Sequence, residues 1–198
     1  MASEVISAVG LLLLTTDPLG NVPSFVSILQ AVPPERRQRV VVRELLFALG
    51  LMLVFLLVGR QLTGLLGIRR EAISIAGAIV LFLVAIQMIL PGTGRKPAPE
   101  TEENEPFIVP LATPLVAGPA TLATLILIAS KPGGMVIGFW ALLIAWAATF
   151  CTLVSAPAIM RVLRQRGSRA VERLMGMLLV MLSVQMFLNG LREYLAGR

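Results

Sequence analysis

Charged residues divide this chain into long apolar runs. Uncharged stretches cover residues 45–59, 72–94, 106–130, 132–160 and 174–191, and a sixth, 5–34, is interrupted only by Asp17. A bilayer core needs about 20 apolar residues per helix, so the pattern predicts six transmembrane helices. The run 45–59 is short for a span, and Glu44 and Arg60 are expected to snorkel outward so that this helix extends past both of them.

Two of the runs carry helix breakers in their middle. Asp17-Pro18-Leu19-Gly20-Asn21-Val22-Pro23 and Thr113-Pro114-Leu115-Val116-Ala117-Gly118-Pro119 share the pattern Pro-Leu-x-x-x-Pro at an offset of 96 residues. Gln87-Met88-Ile89-Leu90-Pro91-Gly92 aligns with Gln185-Met186-Phe187-Leu188-Asn189-Gly190 at an offset of 98. Each unit then holds three spans, an odd number, so the second copy enters the membrane from the opposite side. The expected fold is all-α and polytopic, with six transmembrane helices. They form two inverted three-helix repeats, residues 1–94 and 107–198, whose first and fourth helices are broken. An acidic cytoplasmic linker, residues 95–106, joins them. Its Glu100, Glu102, Glu103 and Glu105 read as a solvated connection rather than a cation or partner site.

Composition supports a membrane chain, since 57% of residues are hydrophobic and 14% charged, outside the range of soluble domains. The 17 Lys and Arg against 11 Asp and Glu do not point to nucleic acid, because the basic residues fall in short connections between spans. The first, third and fifth connections hold eleven of them and the opposite side six. By the positive-inside rule both termini are periplasmic. Met-Ala-Ser-Glu lacks the basic n-region of a secretory signal, so the first span is expected to be retained.

Absences narrow the chemistry. The chain has no histidine, which excludes His-based triads, HExxH zinc sites and His proton relays. The lone Cys151, in the fifth span, allows no internal disulfide or Cys-cluster metal site and is expected to be a small packed hydrophobe. No Gly-x-x-x-x-Gly-Lys-Ser/Thr phosphate loop occurs. The chain is therefore not expected to be an enzyme, and no catalytic residue, metal or cofactor is assigned beyond a coupling H+ or Na+.

A broken helix at bilayer depth persists only where its freed backbone groups are satisfied, and such a break in each half points to a transport site. With the first span running inward and the fourth outward, the half-helices after the breaks begin near mid-membrane. Their N–H groups cradle a carboxylate, while the carbonyl ends of the preceding halves suit an ammonium group or cation. A zwitterionic amino acid matches both. Asp17-Pro18 and Thr113-Pro114 each read as an N-cap followed by proline at the first helical position, with Gly118-Pro119 serving similarly one turn later. The helix-break residues are thus Pro18, Pro23, Pro114 and Pro119. Substrate-binding candidates are Asp17, Gly20, Asn21, Ser24, Thr113, Gly118, Thr121 and Thr124, with Ser27 as a further hydroxyl. Serine and threonine in membrane helices also bond their own backbone. Asp17 has two competing roles, carrier of a coupling cation or cap of the following half-helix. Gln87 and Gln185 are second-tier polar candidates, best read as interhelical hydrogen bonders. Gly134 to Gly138 forms a GxxxG suited to tight helix contact. Trp140 and Tyr194 fit interfacial belts, and Trp146 lies deeper.

The segments Asp17 to Phe25, Pro106 to Pro119 and Glu172-Arg-Leu-Met-Gly176 resemble the MarC family of bacterial inner-membrane proteins, within it the YhgN-like subgroup. The likeness runs over nearly the whole chain. It implies six transmembrane helices, a periplasmic N-terminus and, from some members, transport of small neutral amino acids such as glycine and alanine. Many relatives continue Gly-Pro with another glycine, whereas this chain has Gly118-Pro119-Ala120-Thr121. The added methyl and hydroxyl narrow or re-polarise the pocket, so the substrate does not carry over with the resemblance.

The leading expectation is a secondary transporter of a small neutral amino acid working by alternating access. The alternatives are an exporter or channel for another small polar solute, or a non-transporting envelope membrane factor. The implied partners are a small polar substrate and the lipid bilayer, with a homo-oligomer left open.

Overall fold

Helix punctuation in the sequence sets the element order. The computed structural model describes residues 2–30, 32–90 and 116–196, and contains α-helices without strands among them. The helices are α1 (Ala2–Thr16), α2 (Val22–Gln30), α3 (Pro34–Leu65), α4 (Arg70–Ile89), α5 (Pro119–Ala129), α6 (Gly134–Val154) and α7 (Ala156–Ala196). The linker 95–106, together with Thr113 and Pro114, lies outside the described residues.

Local chemistry explains the boundaries. Pro34 opens α3, where its missing N–H is no loss. The same helix ends in a Schellman arrangement: Gly67 has φ 65, its N–H donates to the Gly64 carbonyl at 3.2 Å, and the Ile68 N–H donates to the Thr63 carbonyl at 2.8 Å. Gly133, with φ 69, turns the chain from α5 into α6. Ser155 separates α6 from α7, donating to the Cys151 carbonyl at 3.1 Å.

Among the described residues four helical segments are long and apolar enough to cross a membrane: Glu35–Leu65, Arg70–Ile89, Gly134–Val154 and Gly167–Ala196. α1 and α5 are apolar but shorter. The first and fifth of the expected basic connections are themselves helical, and the third, with Arg95 and Lys96, lies outside the described residues. Arg36 to Arg43 occupy the first turns of α3, and Arg161 to Arg173 lie within α7, which runs unbroken for 41 residues.

Packing divides into two clusters. The larger joins α1, α2, α3, α5 and α6 through Leu12, Phe25, Leu45, Met52, Leu56, Leu125, Leu142 and Leu153. The smaller joins α4 and α7 through Ala78, Leu81, Ala85, Leu179 and Met186, with Ala120 of α5 against them. The α4–α7 seam has a heptad rhythm, with Gly176, Leu179, Ser183, Met186 and Gly190 buried. Its two glycines lie 14 residues apart and meet Ala85, Met88 and Ile89 at one end and Glu71, Ser74 and Ile75 at the other. Ser74 Oγ donates across the seam to the Met186 carbonyl at 2.9 Å. α2 packs against α7, and α5 against α4.

The GxxxG performs as its small residues predict: Gly134 sits on the Ile128 carbonyl, and Gly138 faces Leu56 and Ile128. Two expectations are corrected. Cys151 is exposed rather than packed, because the buried face of α6 runs through Gly138, Ala141, Leu142, Ala145, Thr149 and Leu153. Glu44 does not snorkel, since only 1% of it is exposed. It shares the inward face of α3 with Val40, Val41, Leu45 and Ala48, so helical phase turns it toward protein, where Arg43 Nη2 meets its Oε1 at 3.2 Å.

Candidate functional site

α1 stops at Thr16 because Asp17 adopts φ 39, a left-handed conformation that aspartate tolerates better than most side-chain-bearing residues. The Asp17 N–H still reaches the Leu13 carbonyl at 3.0 Å. Pro18 has no N–H to offer Leu14, so the ladder fails there. Side chains then take over the freed carbonyls. Asn21 Nδ2 donates to the Thr16 carbonyl at 2.8 Å. Thr121 Oγ1, from the first turn of α5, donates to the Thr15 carbonyl at 3.1 Å.

Asp17 also organises the turn between α1 and α2. Its Oδ1 accepts the Gly20 N–H at 3.1 Å and its carbonyl accepts the Asn21 N–H at 3.1 Å, so the carboxylate caps the turn 18–21. Helix resumes at Val22, not at Pro18 as expected, and Pro23 rather than Pro18 falls in its first turn. The left-handed residue at 17 spends four residues in a turn before helical dihedrals recover. In the second motif Gly118 is the N-cap of α5 and Pro119 its first residue, in agreement with the alternative start. The Gly118 carbonyl accepts the Leu122 N–H at 3.0 Å.

The α1–α2 interruption therefore meets the start of α5. The carbonyl end of α1 and the N–H end of α5 bring partial charges of opposite sign into one buried region. Asp17, Gly20, Asn21, Gly118 and Thr121 gather there. Thr124 is buried but bonds the Ala120 carbonyl of its own helix at 2.8 Å. Ser24 is half-buried on α2, and the side chain of Ser27 lies outside the described residues. Gln87 and Gln185 are exposed. Gln185 bonds Asn189 one turn along the same helix at 3.0 Å, which replaces the expected interhelical bond.

Several contributors escaped sequence reasoning. Thr149 of α6 places its Oγ1 3.5 Å from Thr16 Oγ1. The Met88 methyl and Asp17 Oδ2 both lie against the Cα of Gly20, so that a Cβ there would strike both. Glu172 of α7 is near enough to act on Asp17 electrostatically. Asp17 Oδ2 is buried and accepts no hydrogen bond from the described residues. The motif repetition of Met88 and the segment Glu172 to Gly176 were visible, yet neither signals a role until α4 and α7 are placed beside the break. Away from this region, Trp146 Nε1 donates to the Leu45 carbonyl at 2.8 Å, tying α6 to α3 beside Glu44.

Chemically, the region offers carbonyls, hydroxyls and one carboxylate to a small polar guest. No group of three or more His, Cys, Asp or Glu suited to a metal occurs among the described residues.

The sequence profile described as MarC family integral membrane protein matches residues 2–195. The chain belongs to the MarC family. Its similarity to the UPF0056 inner membrane protein YhgN of Escherichia coli K12 is 48% identity, over 98% of this chain and 100% of that protein. A UPF0056 membrane protein of Buchnera aphidicola subsp. Baizongia pistaciae is 44% identical over 96% and 98% of the two chains. A UPF0056 membrane protein of Methanocaldococcus jannaschii is 32% identical over 89% and 90%. No solved structure matches the chain significantly. As a MarC-family protein the chain is an integral membrane protein with several apolar helices, and its Escherichia coli relative is named an inner membrane protein. Of the segments that carry the resemblance, Asp17 to Phe25 forms the α1–α2 interruption, and Glu172 to Gly176 leads into the α4–α7 seam.

Proposed function

We propose that this MarC-family chain is a secondary transporter of a small neutral amino acid, working by alternating access around the interrupted helices. The observation that carries the reading is the hydrogen bond from Thr121 to the Thr15 carbonyl. It couples the first turn of one half-helix to the last turn of another through a side chain, a link that a competing polar guest can replace without disturbing either helix. An ammonium group is suited to the α1 carbonyls and a carboxylate to the N–H groups of α5.

The packing of α2 on α7 and of α5 on α4 supports six spans in two inverted repeats. Under that symmetry α2 is equivalent to α5 and α4 to α7, so the two contacts are one contact repeated. The basic first turns of α3 and the basic start of α7 favour a cytoplasmic position for those ends, with both termini periplasmic.

The test is uptake of labelled glycine, alanine and serine into liposomes containing the purified protein, with and without proton or sodium gradients. Saturable flux of one of them above that of protein-free liposomes is the expected result. No flux of any of the three would remove the proposal, and no flux of any small solute would favour a non-transporting envelope factor.

A further inference from the structure

Asp17 is the sole aspartate of the chain, 4% exposed, and one of its two carboxylate oxygens has no hydrogen-bond partner among the described residues. Oδ1 is accounted for by the Gly20 N–H. Oδ2 is not, and a bare carboxylate oxygen in an apolar interior is a costly arrangement. Four things resolve such an atom: a donor side chain, a water molecule, a metal cation or a proton.

The neighbours decide among them. α4 presents the apolar Met88, crowded with Oδ2 around the Cα of Gly20. The nearby hydroxyls are already engaged, Thr121 on the Thr15 carbonyl and Thr16 on the Leu12 carbonyl at 2.8 Å. Thr149 of α6 faces Thr16. Among the described residues the charged group that reaches Asp17 electrostatically is Glu172 of α7, which is itself influenced by Arg169 and Arg173. A water molecule or a metal cation needs several polar partners around it, whereas among the described residues Met88 beside Oδ2 is apolar and the hydroxyls of Thr121 and Thr16 are engaged on helix carbonyls. A proton needs no such set of partners and removes the charge.

We propose that Asp17 is the proton-binding residue of this protein and that Oδ2 holds the proton beneath Met88. The carboxylate takes one proton from water on one side of the membrane and returns it on the other, with no other bond made or broken. Its role as the coupling site rests on the transport reading, whereas proton binding itself does not.

Because Asp17 is the sole aspartate, cell-free synthesis with aspartate carrying 13C in its side-chain carboxyl labels one site in the unmodified chain. Infrared spectra of the labelled protein in liposomes, without added solute, report that carboxyl directly. The expected result is a reversible exchange between a protonated carboxyl band and a carboxylate band across the physiological pH range. A label fixed in one form throughout would overturn the proposal. Uptake measured on the same liposomes separates the two inferences. Proton exchange at Asp17 with no movement of glycine, alanine or serine removes transport and leaves the proton site. Uptake that ignores an imposed pH gradient overturns the coupling role and leaves transport.

Discussion

Thr121 and Thr15 lie 106 residues apart in sequence and are joined by one hydrogen bond, hydroxyl to carbonyl, at 3.1 Å. The carbonyl belongs to the last turn of α1, where Pro18 and the left-handed Asp17 have ended the ladder. Thr121→Val keeps the shape and removes the donor. A carbonyl left without a partner costs about 1–3 kcal/mol when buried, and the part-buried Thr15 carbonyl should show a loss toward the lower end of that range in thermal unfolding in detergent. Thr124→Val removes only a bond within its own helix and is expected to lower the midpoint less.

Asp17 serves a conformation as well as a charge. Asparagine tolerates a positive φ and offers an oxygen to the Gly20 N–H, so Asp17→Asn should keep close to the original thermal stability. Asp17→Ala loses the capping acceptor, worth about 0.5–2 kcal/mol, and must hold φ 39 without a polar side chain. The same detergent unfolding measurement on both variants checks the ordering.

Gly20 has no space for a side chain. A Cβ would collide with Asp17 Oδ2 and the Met88 methyl, and overpacking of this kind costs about 1–3 kcal/mol. Gly20→Ala is therefore expected to be destabilised, with partial recovery in Gly20→Ala/Met88→Ala, since Met88 supplies only part of the obstruction. Gly10→Ala, where nothing lies within 4 Å, should be neutral or gain up to about 1 kcal/mol from helix propensity.

The α4–α7 seam makes a parallel prediction. A Cβ at Gly176 would lie 3.1 Å from the Ala85 carbonyl oxygen, and one at Gly190 would lie 3.1 Å from that of Glu71. Backbone yields less readily than a side-chain tip, so Gly176→Val and Gly190→Val should each lower the thermal midpoint. Gly50→Ala and Gly64→Ala, in open surroundings, should not.

Proline and glycine made the interruptions legible. Pro18 and Pro23 mark the first, and Gly118-Pro119 gives the start of α5 to the residue. The restart at Val22 was not legible, because it stems from a φ that one aspartate adopts rather than from any residue preference. Glu44 and Cys151 were misplaced for a shared reason. In a bilayer both lipid-facing and protein-facing positions are apolar, so hydropathy locates a span without giving its rotation. Helical phase against buried neighbours supplies it, as Val40, Val41 and Leu45 do for Glu44. Thr149, Met88 and Glu172 reach the site from three other helices, and no local pattern encodes which helices will be neighbours.

α7 is longer than any bilayer requires. At about 1.5 Å per residue, Arg161 stands about 22 Å along the helix from Gly176, where the close contact with α4 begins. The start of the helix is held as well, since Ala156 is fully buried in the larger cluster and Ile159 and Met160 pack against it, so one continuous helix fastens the two packing clusters to each other.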